Sequence, residues 1–265
     1  MVKACDRREG EAAKLPGRAG SYEEALPIAP LRRHFLCAWV NDIRADHEGP
    51  VAIVPDGCVD LLWRKSRFLI AGPDAEASYP DLGTGSRVLG LRFTPGSASR
   101  WLDVPMTELL GREVEMADIW GRKARAIAER LAAVASDEER LLVLQKLLLD
   151  LPAARQAMPH DAALIFSMTQ ANIASPQGGI MQIRASLGMS ERSLRRRCHD
   201  VFGYGPKRLH RILRLQAFIG LARRREMRGL GNLASAAGYA DQAHLNREIR
   251  ELCGMTAGEL ARQLA

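Results

Sequence analysis

The apolar positions change period along the chain, and the change divides it. From about Leu31 to Thr94, short apolar runs (FLCAWV, VAIV, CVDLLW, RFLIAG, RVLGLRFT) alternate with DHEGP, PDG, RKS and GPD. Runs this short, broken by turn formers at regular spacing, predict an antiparallel sheet or small barrel. From Ser97 the period lengthens. SASRWLDV, RKARAIAERLAAVA and DEERLLVLQKLLLDL put apolar residues at i, i+3 and i+4, so 97–150 reads as helices, with Ser136 as N-cap before DEE. Residues 1–24 mix five basic and five acidic residues without a period and predict a poorly ordered arm. LPAARQAMPH (151–160) reads as a linker, and 161–265 as helix throughout. The expected class is α+β: an antiparallel, β-barrel-like domain over 25–150 (β-rich 31–94, helical 97–150), then an all-α domain.

Within the all-α part, ASLGMSERSLRRRCHDVFGYGPKRL (185–209) aligns without gaps on AAGYADQAHLNREIRELCGMTAGEL (236–260), an offset of 51 residues. Leu194/Leu245, Arg196/Arg247 and Gly203/Gly254 are identical, and Val201/Leu252 and Cys198/Ile249 agree in character. Each copy parses as a short helix of small residues, a turn with Gly188 or Gly238, an N-cap at Ser190 or Asp241, and a helix ending at Gly203 or Gly254. That is the helix-turn-helix pattern. Leu194, Cys198 and Val201 share one face of the first capped helix; Arg192, Arg195, Arg196 and His199 take the opposite one. In the second copy Gln242, Asn246, Arg247 and Arg250 stand opposite Leu245, Ile249 and Leu252. Arg pairs bidentately with guanine, and Gln or Asn with adenine, so these are residue types that read base edges. PKRLHRILRLQAFIGLARR (206–224) predicts a long helix joining the units. Its length, about 27 Å, is of the order that holds two recognition helices near one duplex turn.

Charge sharpens this picture. Residues 161–265 carry 16 Lys/Arg against 8 Asp/Glu, whereas 1–160 carry 22 against 23, so the whole positive excess of the +7 chain lies in the helical part. A basic domain attached to a neutral one points to nucleic acid. No stretch approaches a membrane span, and the charged first residues hold no apolar signal core, which predicts a cytoplasmic protein. Five cysteines without CxxC spacing read as reduced thiols.

On LGMSERSLRRR, VFGYGPKRLHRILRLQ and AAGYADQAHLNREIRELCGMT the sequence resembles the AraC/XylS family of bacterial transcription regulators, over about residues 161–263. The resemblance implies base contacts by Arg192, Arg195 and Arg196 in one unit and Gln242, Asn246 and Arg247 in the other. Phosphate contacts are expected from His199, Lys207, Arg208, Arg211, His244 and Arg250. It implies promoter DNA and RNA polymerase as partners, and an N-terminal domain, cupin-like in many members, that binds a small-molecule effector or forms a homodimer. Cys198 and Ile249, where the family has Phe, and Ala257, where it has Pro, depart from the pattern. VPDGCVDLLW, AGPD and GLRFTPGSA resemble an N-terminal domain found on some members.

In PDGCVD, Asp56, Cys58 and Asp60 could line a ligand pocket; the plainer reading is a turn at Pro-Asp-Gly followed by an alternating strand. Two carboxylates would activate a thiolate poorly, which weakens a redox role for Cys58. His34, His47 and His160 show no ligand spacing, so no metal and no cofactor are expected. The leucines of 141–151 read equally as packing onto the sheet or as a dimer face. A regulator without effector and a DNA-repair enzyme with a regulator-like tail are the rival functions; the second lacks the zinc-type cysteine spacing it would need.

Overall fold

In a computed structural model of the chain, the described residues are 13–175, 179–224 and 229–264. Six strands form one antiparallel sheet: β1 Gly20–Ala25, β2 Phe35–Ile43, β3 Asp60–Arg64, β4 Arg67–Ala71, β5 Arg87–Phe93 and β6 Glu113–Glu115, in the order β1-β2-β5-β3-β4-β6. The edges are β1 and β6, so the sheet pairs as an open series. Lys65 and Ser66 join β3 to β4 with φ of 49° and 57°, the left-handed pair that a two-residue hairpin requires. Alternation along β3 sends Leu61 and Trp63 to one face and Leu62 to the other, as the PDGCVD reading expects.

On the face of Leu61, Phe35, Ile70, Leu91 and Phe93 pack against helices α2 Ala98–Leu102, α3 Met116–Trp120, α4 Arg122–Ala132 and α5 Asp137–Leu149. Ser136 caps α5, accepting from Glu139 N at 3.1 Å. Leu144 and Leu148 are fully buried in this core, Leu141, Leu147 and Leu151 pack at its margin, and Leu142 alone of the leucine run stays largely exposed. The leucines thus cover the sheet.

The expected arm is ordered from residue 13 onward; residues 1–12, with Cys5, lie outside the described residues. A short helix α1 (Pro16–Ala19) leads into edge strand β1, which pairs with β2 over Gly20–Ala25. Its alternating polar residues belong to a solvated edge, so hydrophobic periodicity gives no sign of it. Strand β6 (EVE) is missed for the same reason. VAIV is not a ladder strand: it makes single bridges, Lys14 to Val51 and Ile53 to Ser78. The linker is docked, with a 3₁₀ turn over Pro152–Arg155 and Ala154 buried.

The helical part comprises α6 His160–Ala171, α7 Ile180–Leu187, α8 Glu191–Phe202, α9 Pro206–Arg224, α10 Leu230–Ala236, α11 Gln242–Cys253 and α12 Ala257–Leu264. It has two cores, one per unit, and α9 spans both: Leu209, Ile212 and Leu213 enter the first, Leu215, Phe218 and Ile219 the second. Leu15, Ala52 and Tyr79 from the sheet domain join the second core, so the two domains pack directly. Among the described residues no helix is long and apolar enough to cross a membrane.

Candidate nucleic-acid interface

The two copies superpose element on element in register: α8 and α11 both have 12 residues and begin 51 apart. Ser190 Oγ accepts from Ser193 N at 3.1 Å, and Asp241 Oδ1 from His244 N at 2.6 Å. Each cap satisfies a helix N–H that would otherwise lack a partner. At the other end Gly203 (φ 83°) and Gly254 (φ 68°) close the helices in the left-handed region. Leu194, Cys198, Leu245 and Ile249 are completely buried. Cys198 and Ile249, two of the departures from the family pattern, therefore face the core, and Cys198 and Cys253 are thiols that burial pushes up to about 12.

Burying these faces leaves Arg192, Arg195 and Arg196 of α8 and Gln242, Arg247 and Arg250 of α11 exposed, with no hydrogen-bond or ion-pair partner among the described residues. Lys207, on the first turn of α9, is also exposed, and His199 is half-buried. Other expected contact residues are held inside the protein. Asn246 Oδ1 accepts from Ala257 N at 3.2 Å, capping α12 where the family's proline would carry no N–H. His244 Nδ1 lies 3.4 Å from Ala240 N, and its ring packs edge-on to Tyr239. Arg211 pairs with Glu248 at 3.1 Å and with Glu251; Arg208 pairs with Glu76 of the sheet domain at 3.0 Å.

The sequence reading missed Glu248. It lies three residues after Leu245, on the buried side of α11, and its carboxylate takes Arg214 at 2.6 and 2.8 Å, both side chains nearly inaccessible. The Arg214 guanidinium also stacks 4.6 Å from the centre of the Tyr239 ring. This ion pair fixes α11 to α9. The corresponding tie in the first unit is Arg197 on α8, which grips Asp161 of α6 through two bonds of 2.7 and 2.8 Å and holds that carboxyl below its usual range. The only forewarning was position: both lie off the polar face that a reading helix would present.

Asp56, Cys58 and Asp60 are not among the residues that line the cleft at Trp101 and Trp120. Asp56 Oδ1 accepts from Cys58 N at 2.9 Å, closing the Pro-Asp-Gly turn, and Arg92 bridges Asp56 and Asp60 at 3.3 and 3.2 Å. Trp39 Nε1 donates to Asp60 at 2.7 Å. Cys58 is buried beside these carboxylates, and burial, with Asp56 adding to it, drives its thiol well above the ordinary range, which disfavours the thiolate. The turn instead abuts the helical domain: a Cβ at Gly57 would lie 3.7 Å from Tyr204 Oη. An open cleft of about 600 Å³ lies elsewhere, lined by Arg100, Trp101, Trp120 and Lys123, by Leu151, Pro152 and Gln156 of the linker segment, and by Arg197 and Asp200 of α8.

Two capped helix-turn-helix units, each with exposed basic or amide residues on the polar face of its second helix, define a DNA-binding regulator. Residues 184–263 match the family model of a helix-turn-helix domain, and residues 23–115 match that of a domain of unknown function (DUF6597). No curated protein matches the chain in sequence. Among solved structures, an apo variant of ToxT from Vibrio cholerae strain SCE256 aligns with a TM-score of 0.50 at 12% identity, over 86% of this chain and 97% of that one. A 1.65 Å structure of ToxT from Vibrio cholerae gives 0.47 at 10% identity, over 92% and 99%. Residues 184–263 are thus a helix-turn-helix domain of the AraC type, and the chain shares the fold of ToxT.

Proposed function

We propose that the chain reads promoter DNA by laying α8 and α11 into two neighbouring major-groove segments. Arg192, Arg195 and Arg196, with Gln242 and Arg247, are assigned to base edges; His199, Lys207 and Arg250 are assigned to phosphates. One observation carries this reading. Two register-matched, capped helices bury their apolar faces and leave Arg192, Arg195, Arg196, Gln242, Arg247 and Arg250 exposed, without an ion-pair or hydrogen-bond partner among the described residues. Asn246, His244, Arg208 and Arg211 leave the contact set, because each already has a partner inside the fold.

Selection of bound duplexes from a random pool, followed by gel-shift titration, tests the assignment. Arg196→Ala and Arg247→Ala should each lose about 1–3 kcal/mol on the selected duplex and relax its sequence preference at one step, with little change on random duplex. Undiminished discrimination by both variants would sink the readout.

Control by a small-molecule effector is favoured over a sheet domain that only dimerises by the cleft of about 600 Å³ at the domain junction. Its size falls in the range of small-molecule sites, roughly 300–1,000 Å³. An occupant would touch α2, the 151–159 segment and the flank of α8 together, and so bias how α8 is held. Native mass spectrometry before and after incubation with a cell-extract metabolite pool distinguishes a bound small molecule from a bare dimer.

A further inference from the structure

The first half of α4 carries Arg122, Lys123 and Arg125, all exposed and without an acidic partner among the described residues. Local physics disfavours this arrangement. The amino end of a helix is the positive end of its dipole, so cations there cost stability where carboxylates would add it. The first turn of α4 holds no acidic residue, and Gly121 provides no side-chain cap. By contrast α5, the next helix, begins with Ser136 and three acids, Asp137, Glu138 and Glu139. The same domain therefore builds one helix start for stability and loads its neighbour with charge of the wrong sign. A local rule broken in this way marks a functional surface.

Its position supplies the partner. Lys123 lines the junction cleft together with Arg100 and with Arg197 and Asp200 of α8. Asp200 stands four residues after Arg196, one turn further along the same side of α8. Through Lys123 the basic end of α4 thus shares a cleft with the flank of the helix assigned to reading bases. We propose that Arg122, Lys123 and Arg125 are a second DNA contact, taking backbone phosphates of the duplex that flanks the segment read by α8. The inference rests on the DNA-reading assignment above and extends the footprint onto the sheet domain, whose overall charge gives no hint of it.

Phosphate contacts release counterions, so they show in the salt dependence of binding, at about 0.9 in the slope of log K against log salt per contact. The experiment compares the full chain with the triple variant Arg122→Ala/Lys123→Ala/Arg125→Ala, by fluorescence anisotropy on a labelled random-sequence duplex of about 40 base pairs, long enough to cover both units and their flanks. The triple variant should lower the slope by about 2–3 and weaken binding at least about fivefold near 0.15 M salt. Preference for a selected duplex over random should stay unchanged, because phosphates carry no sequence. Its melting temperature should hold or rise, since the removed charges oppose the helix dipole; a merely structural role would lower it. Lys123→Glu gives a second variant with a larger effect per site, and Lys65→Ala, on the β3–β4 turn, serves as the control. An unchanged slope in the triple variant, as expected if this face instead meets an acidic protein, overturns the proposal. An equal loss in the control also overturns it. If the unaltered chain fails to bind either duplex, the DNA-reading assignment itself fails.

Discussion

Glu248 shows how much one side chain can decide. It is a carboxylate on the buried side of α11, and it holds Arg214 bidentately while also meeting Arg211. Removing it strands a buried guanidinium that has no second acid to turn to. Glu248→Ala should therefore cost about 3–5 kcal/mol in chemical denaturation, the range for breaking a buried pair by deleting one member. Glu251→Ala, which touches Arg211 from an exposed position, should cost less than about 1 kcal/mol. The contrast separates a side chain that positions α11 from one that decorates it. At this scale the sequence told exposure correctly for Arg192, Arg195, Arg196 and Arg247, because a helical wheel fixes which side of a helix meets the core. It gave no sign that Asn246 and Arg211 are bonded within the fold, because a wheel says nothing about the neighbouring helix that claims a side chain.

At the scale of elements, the turn inside each unit is the feature most tightly specified. Gly238 sits between α10 and α11 at φ 82°, and a Cβ there would lie 2.8 Å from the Ile173 carbonyl oxygen and 2.9 Å from Ala174 Cα. Strain and collision act together, and both obstacles are backbone. Gly238→Ala should destabilise the protein by about 1–3 kcal/mol, read as a fall in denaturation midpoint. The equivalent Gly188 shares the left-handed φ (61°) but meets nothing within 4 Å, so Gly188→Ala should cost about 1 kcal/mol from conformation alone. The units were legible as elements because caps, closing glycine and apolar face recur at an offset of 51, each with a glycine in the turn before the cap. The edge strands were not: β1 and β6 are held by ladder hydrogen bonds to neighbours, and their side chains keep no apolar face for a periodicity to find.

At the scale of the whole molecule, one loop of the sheet domain reaches both recognition helices at corresponding ends. Pro73 packs on Gly203 at the end of α8, while Ala77 N donates to Leu252 O at 2.7 Å and Tyr79 Oη to Cys253 O at 3.3 Å at the end of α11. Asp74 lies within this loop, accepting from Ser78 Oγ at 2.7 Å, and burial raises its carboxyl to about 6, with Asp56 and Asp60 adding to the rise. In the unfolded chain the same group titrates near 4. Between those values the folded state binds the extra proton, so ionising Asp74 costs the fold stability as pH rises toward 6, and the cost is constant above it. Asp74→Asn should accordingly stabilise the protein by about 1–2 kcal/mol at pH 7–8, with the gain shrinking below pH 6 in melts run across that range. A gain independent of pH would show that the carboxyl does not titrate in this window.

The sequence by itself determined the order of the domains, the two helix-turn-helix units and the side of each that faces outward. Those follow from periodicity, caps and glycines, which act over a few residues and leave their mark in the chain. Only the tertiary structure decided that residues 13–19 and the 151–160 segment are docked, that Asp56 and Asp60 are a charge cluster around Arg92, and that the sheet domain grips both units. These depend on contacts between residues far apart in sequence, such as Leu15 with the core of the last unit or Gln263 with Ala13. No local pattern encodes such meetings, because the free energy that selects them arises only when distant surfaces are buried against each other.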